Sequence, residues 1–162
     1  MDKIKLIAVD MDGTFLRSGM TYDRQRFRRL YEKMKERNIK FVVASGNQYY
    51  QLKSFFDEFQ EELTYVAENG AFIVEEGKEL FSTSIPREHV FKVVETLEGH
   101  ENVDVAICGK SSAYILEGDE KFYEIVKPYY HRLQVVKDFN EVEGQFLKLA
   151  TKTIPSEALR IV

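Results

Sequence analysis

Residues 1–82 read as a doubly wound α/β fold on a parallel sheet, and residues 83–162 as a smaller α+β unit. Three observations predict this. Short apolar runs with little polar alternation occur at Ile4–Val9, Phe41–Ser45 and, more weakly, Leu63–Ala67, as expected of strands buried on both faces. Amphipathic segments separate them, which implies parallel pairing through right-handed crossovers. After Gly70 the pattern changes to hairpins and short mixed elements.

The elements follow in order. Between the first two runs, Phe27, Leu30, Tyr31 and Met34 fall at helical spacing, with charged residues filling the other faces. A second helix is expected over Tyr49–Glu62, with Leu52, Phe55, Phe56 and Phe59 inward. Residues 71–81 carry a turn-like Glu76-Gly77 between two apolar arms and read as a hairpin. Ser82–Pro86 then reads as a linker. Beyond it the pattern predicts a helix over Arg87–Leu97 and strands at Val103–Cys108 and Ser112–Leu116. A helix over Asp119–Tyr130 with Phe122, Ile125 and Val126 inward comes next, then strands at Leu133–Val136 and Phe146–Thr151. Pro155 and Ser156 open a further helix.

Composition excludes several function classes. The chain has 162 residues, a formal charge of −4 and a single cysteine, Cys108. That charge gives no electrostatic reason to bind nucleic acid or an anionic membrane, and a lone cysteine cannot form an internal disulfide. No apolar run approaches the roughly 18 residues of a membrane span, and Asp10 interrupts the N-terminus before a signal sequence could build up. A cytoplasmic protein is expected. The basic stretch Arg24–Lys40 is interleaved with Glu32 and Glu36 and reads as a solvated helix face. His89, His100 and His131 lack metal-ligand spacing.

Each of the first three apolar runs ends in small polar residues: Asp10-Met11-Asp12-Gly13-Thr14, Ser45-Gly46-Asn47 and Glu68-Asn69-Gly70. Ligands of open α/β sheets bind outside the carboxyl ends of the strands, so these three ends define the expected site. Asp10 and Asp12 lie two residues apart and can serve one centre. Their mutual repulsion favours a bound divalent cation or protonation of one partner, and both states suit phosphoryl transfer. An EF-hand loop starting at Asp10 is excluded, because Thr14, Phe15 and Thr21 occupy its fifth, sixth and twelfth positions. A phosphate-binding loop at Gly109–Ser112 is excluded as well, because Asp104 stands where the pattern requires glycine.

Together, VDMDGTF after a strand, VVASGNQYYQL after the first helix and ENGAFIV after the second resemble the haloacid dehalogenase superfamily of phosphohydrolases, and within it the Cof-type branch. The resemblance covers Ile4–Phe81 residue by residue. It implies a Rossmann-like core, with residues 83–162 as part of a cap inserted after the third strand. It also implies a Mg2+-dependent phosphatase acting on a small phosphorylated metabolite, such as a sugar phosphate, through an aspartyl-phosphate. In that scheme Asp10 is the nucleophile and Asp12 the acid and base. Asp10, with the backbone carbonyl of Asp12, holds the metal. Thr14, Ser45, Gly46 and Asn47 bind phosphate. Asn47 departs from the many relatives that place arginine there. The family's later lysine and acidic motif have no counterpart here, since Gly118-Asp119 runs on into Glu120–Glu124. The resemblance therefore implies a chain that stops inside the cap without the rest of the core. A second expectation follows, of a non-catalytic phosphate-binding or self-associating module, a homodimer through an exposed sheet edge.

Overall fold

The computed structural model describes residues 4–98, 100 and 102–153. The expected helix after Pro155 lies outside the described residues. Contacts divide the chain into two units, Met1–Ser82 and Thr83–Val162.

In the first unit, strands β1 (Leu6–Asp10), β2 (Lys40–Ala44), β3 (Thr64–Ala67), β4 (Phe72–Glu75) and β5 (Lys78–Ser82) form one sheet in that order. The β1–β2 and β2–β3 pairs are parallel, with Asp10 opposite Ala44 and Ala44 opposite Val66. The β3–β4 and β4–β5 pairs are antiparallel, so the sheet is mixed rather than parallel throughout. The β4–β5 turn uses Glu76 and Gly77 at φ 49° and 72°, the left-handed pair that a two-residue hairpin requires.

Helix α1 (Arg24–Glu36) starts where the Asp23 carboxylate accepts the Arg26 amide at 2.9 Å. It stops at Asn38, whose left-handed conformation lets the Ile39 amide reach back to the Met34 carbonyl at 2.8 Å. Helix α2 (Tyr49–Ser54) is shorter than the sequence predicts. Beyond Ser54 the chain tightens into i to i+3 turns, with amides of Phe56, Phe59 and Glu62 on the carbonyls of Lys53, Phe56 and Phe59. These turns aim Phe56 and Phe59 at α1. Phe27 gathers them, with ring centroids 5.3 Å from Phe56, 5.8 Å from Phe59 and 5.1 Å from Phe41 of β2. Aromatic pairs of this kind contribute about 0.5–1.5 kcal/mol each beyond their burial, and they hold α1 and the α2 segment on one face of the sheet.

That arrangement corrects two expectations. Strand order 1-2-3 puts α1 and α2 on the same side under the right-handed crossover rule, so the described residues do not show the helices on both faces that a doubly wound sheet carries. Strand β1, expected to be buried on both faces, is also the sheet's edge, and Leu6 is 53% exposed. Leu30 of α1, expected to face inward, is exposed as well. Strand β2, flanked on both sides, is buried from Phe41 to Val43.

The second unit forms a four-stranded sheet in the order β8-β7-β6-β9, from β6 (Val103–Gly109), β7 (Ala113–Leu116), β8 (Leu133–Val136) and β9 (Phe146–Thr153). Helix α3 (Arg87–Glu98) lays Val90 and Val94 in a cluster with Ile107, Tyr114 and Phe146. Helix α4 (Glu120–Val126) lays Phe122 and Val126 with Ala106, Cys108, Ala113 and Ile115. Residues 106, 107 and 108 alternate between these clusters, so α3 and α4 cover opposite faces. The α4 helix ends at Val126, not Tyr130, and Ile125 points outward. No described helix is long and apolar enough to cross a membrane.

Candidate active site

Three strand ends of the first unit build the site. After Asp10 the chain reverses over Met11–Leu16, with the Phe15 amide on the Asp10 carbonyl at 3.1 Å and the Leu16 amide on the Met11 carbonyl at 2.8 Å. Met11 and Leu16 are buried and anchor the loop, while Asp10, Asp12 and Thr14 stay exposed. Gly13 sits at φ 72° with open space around it, so its requirement is conformational rather than steric. The Thr14 hydroxyl lies 3.5 Å from Asp10 Oδ2, at the outer limit of a hydrogen bond.

After β2, the Ser45 amide donates to the Val66 carbonyl at 3.0 Å, and the Asn47 amide donates to Ser45 Oγ at 3.1 Å. The Asn47 side chain crosses to the first loop, where Nδ2 donates to Asp12 Oδ2 at 2.8 Å. The residue expected to bind phosphate thus commits one amide proton to the carboxylate expected to act as acid and base.

After β3, Glu68, Asn69 and Gly70 take three successive left-handed conformations at φ 52°, 58° and 88°. The Glu68 amide reaches the Asn47 carbonyl at 3.1 Å, and the Asn69 amide reaches the Ser45 carbonyl at 3.4 Å. A Cβ on Gly46 would meet Asn69 Oδ1 at 2.5 Å, so the β3 turn closes over that glycine. Glu68 and Asn69 stand in the sequence at a polar strand end and within ENGAFIV, one of the strings that carry the resemblance. Their signal was the Asn-Gly pair after an apolar run.

Asp10 and Asp12 with backbone carbonyls offer hard oxygen donors of the kind Mg2+ takes, one or two carboxylates completed by water and phosphate oxygens. No group of three or more acidic, histidine or cysteine side chains able to hold a metal occurs among the described residues. The two aspartates thus fit a Mg2+ ion shared with its substrate, not a closed protein cage. A cavity of about 270 Å³ lies beside Thr14, lined by Val9, Phe15, Tyr22 and Leu30 among others. A wider groove of about 640 Å³ is lined by Lys40 at the start of β2, with Tyr31, Glu62 and Glu75. It lies at the opposite end of β2 from Ser45 and contains none of the site residues.

Comparison with known proteins gives the family. Residues 7–159 match the model of the haloacid dehalogenase-like hydrolases. Over 146 residues the chain is 49% identical to the 5-amino-6-(5-phospho-D-ribitylamino)uracil phosphatase YbjI of Escherichia coli, covering 90% of this chain and 54% of that protein. The solved structure of SMU.1108c from Streptococcus mutans is 35% identical with a TM-score of 0.91, over 98% of this chain and 60% of that one. The subclass IIB sugar phosphatase BT4131 shares the fold at 16% identity and a TM-score of 0.76, over 97% of this chain and 62% of its own. The chain spans a little over half the length of these proteins. By sequence match and by fold, it belongs to the haloacid dehalogenase-like hydrolases, in their Cof-type branch.

Proposed function

We propose that this chain carries the nucleophile and acid–base half of a phosphohydrolase for small phosphorylated metabolites. The observation that carries the reading is the convergence of Asp10, Asp12, Ser45 and Asn47 at the carboxyl ends of β1 and β2, locked by the Asn47–Asp12 bond. The name of the Escherichia coli relative points to the phosphate ester of a ribityl chain as the substrate class.

The chemistry follows from the residues. A carboxylate oxygen of Asp10 attacks phosphorus, and the bond to the leaving alcohol breaks. Asp12 in its acid form gives that alkoxide its proton and is left as the base. Asp12 then takes a proton from water, the hydroxide attacks phosphorus, and phosphate leaves as the Asp10 carboxylate is restored. Thr14, Ser45 and Gly46 orient the phosphoryl group. Asp10 and the Asp12 carbonyl would hold Mg2+, which would supply charge neutralisation at the phosphate oxygens. The second unit is the cap that selects the ester.

The test is hydrolysis of p-nitrophenyl phosphate by the 162-residue chain. The expected result is activity that depends on Mg2+, is lost on chelation, and falls by about 10³-fold or more in Asp10→Asn, because covalent catalysis has no substitute at that position. Activity in Asp10→Asn equal to that of the parent would refute the reading.

The exposed edge of β1 favours a second reading, in which two copies associate through that strand.

A further inference from the structure

We infer that Asn47 is a positioning residue for Asp12, fixing one orientation of that carboxylate and thereby setting how well the site expels leaving groups that need a proton. This rests on the reaction proposed above. It differs from a phosphate contact, the role the resemblance gives Asn47.

The contacts carry it. Asn47 Nδ2 meets Asp12 Oδ2 at 2.8 Å, between residues 35 apart in sequence on loops after different strands. The amide nitrogen must face the carboxylate, because the amide oxygen there would oppose two acceptors. The main chain of Asn47 is held on both sides, its N–H on Ser45 Oγ at 3.1 Å and its carbonyl on the Glu68 amide at 3.1 Å. A side chain rising from a backbone pinned in this way has little freedom to follow Asp12. Asp12 meets it from a loop anchored by Met11 and Leu16, so the bond joins two held loops and the exposed Asp12 carboxylate is the group it orients.

One Asp12 oxygen is therefore engaged, and the other is left for the leaving group. Because Ser45 Oγ accepts from Asn47, its own proton remains for a phosphoryl oxygen. One residue thus orders the acid and the phosphate donor together.

The β3 turn shows that the fold sustains this arrangement against a cost. Glu68 and Asn69 are consecutive non-glycine residues in left-handed conformation, at φ 52° and 58°. Non-glycine residues take this conformation uncommonly, Asn more readily than Glu. What the turn delivers is the Glu68 amide on the Asn47 carbonyl and Asn69 over Gly46. A phosphate clamp gains most from a cation, and Asn47 carries none.

Two esters with different leaving groups test this in the 162-residue chain and its Asn47→Ala variant. p-Nitrophenolate departs without a proton, whereas the alkoxide of glycerol phosphate requires one. The expected result is a fall in kcat/KM, which covers the steps through transfer to Asp10, at least about tenfold larger on glycerol phosphate than on the aryl ester. Equal losses in kcat/KM on both esters would make Asn47 a phosphate contact and overturn the inference.

A second measurement does not depend on turnover. The side-chain amide protons of Asn47 in 15N-labelled protein should lie downfield in the parent and return to the ordinary amide position in Asp12→Ala. Identical shifts in both would overturn the inference. If the parent hydrolyses neither ester, the phosphatase reading falls, and the amide shift still decides whether Asn47 holds Asp12.

Discussion

Asn47 and Tyr65 show at single positions how the sheet divides its labour. Asn47 sits at the carboxyl end of β2 and spends its polar groups on the site. Tyr65, in the middle of β3, is wholly buried, and its hydroxyl has no hydrogen-bond partner among the described residues. Burial pushes the Tyr65 phenol up from its ordinary value of 10, and burial followed by the charge of Glu62 pushes Tyr31 up to about 12. A group raised in the fold contributes stability that is complete below its unfolded pKa and is lost as pH climbs through the folded one. The chain should therefore hold its fold to about pH 10 and weaken above it. In a tyrosinate absorbance titration, Tyr31 and Tyr65 should appear last among the nine tyrosines, with Tyr65 appearing together with unfolding. Nine phenols titrating together near their ordinary value, with the fold intact, would contradict the packing described here. The residues of the candidate site were legible to different degrees. Asp10, Asp12, Gly13, Ser45 and Gly46 stood out because carboxylates and small residues at strand ends are local patterns. The Asn47–Asp12 bond did not, because it joins separate loops and depends on a register that only the folded sheet provides.

At the scale of elements, the strands and helices were readable where a single period ruled, and misjudged where neighbours decided. The apolar run of β1 resembles that of β2, yet β2 is buried and Leu6 of β1 is half exposed, because position within the sheet and not composition sets burial. Both helices lie on one face for a similar reason: strand order fixes the side, and the sequence does not state strand order. The α2 helix ends early because Phe56 and Phe59 gain more by packing around Phe27 than by continuing a regular helix. The ion pairs beside them, Arg24–Asp57 at 2.8 Å and Lys35–Glu62 at 2.6 Å, are exposed and screened by solvent, so apolar packing dominates this interface. The open edge of β1 has a measurable consequence. If two copies pair there, sedimentation should show concentration-dependent dimers, and Leu6→Lys should weaken the dimer by about tenfold or more, equivalent to ~1.4 kcal/mol. A monomer at all concentrations would exclude self-association through this edge.

For the whole molecule, the chain comprises two units, and the first gathers three polar strand ends in one place. The chain spans 54% of the Escherichia coli phosphatase it resembles and 60% of the Streptococcus mutans protein. The claim particular to this chain is that it carries the groups that make and break the covalent bond, Asp10 and Asp12. Incubation with a phosphate ester and Mg2+, acid quenching and peptide mass analysis address that claim most directly. A phosphoryl group on Asp10 is expected, absent after chelation and absent in Asp10→Asn. Turnover with no phosphoryl group on Asp10, or a stable phosphoryl group on another residue, would contradict it.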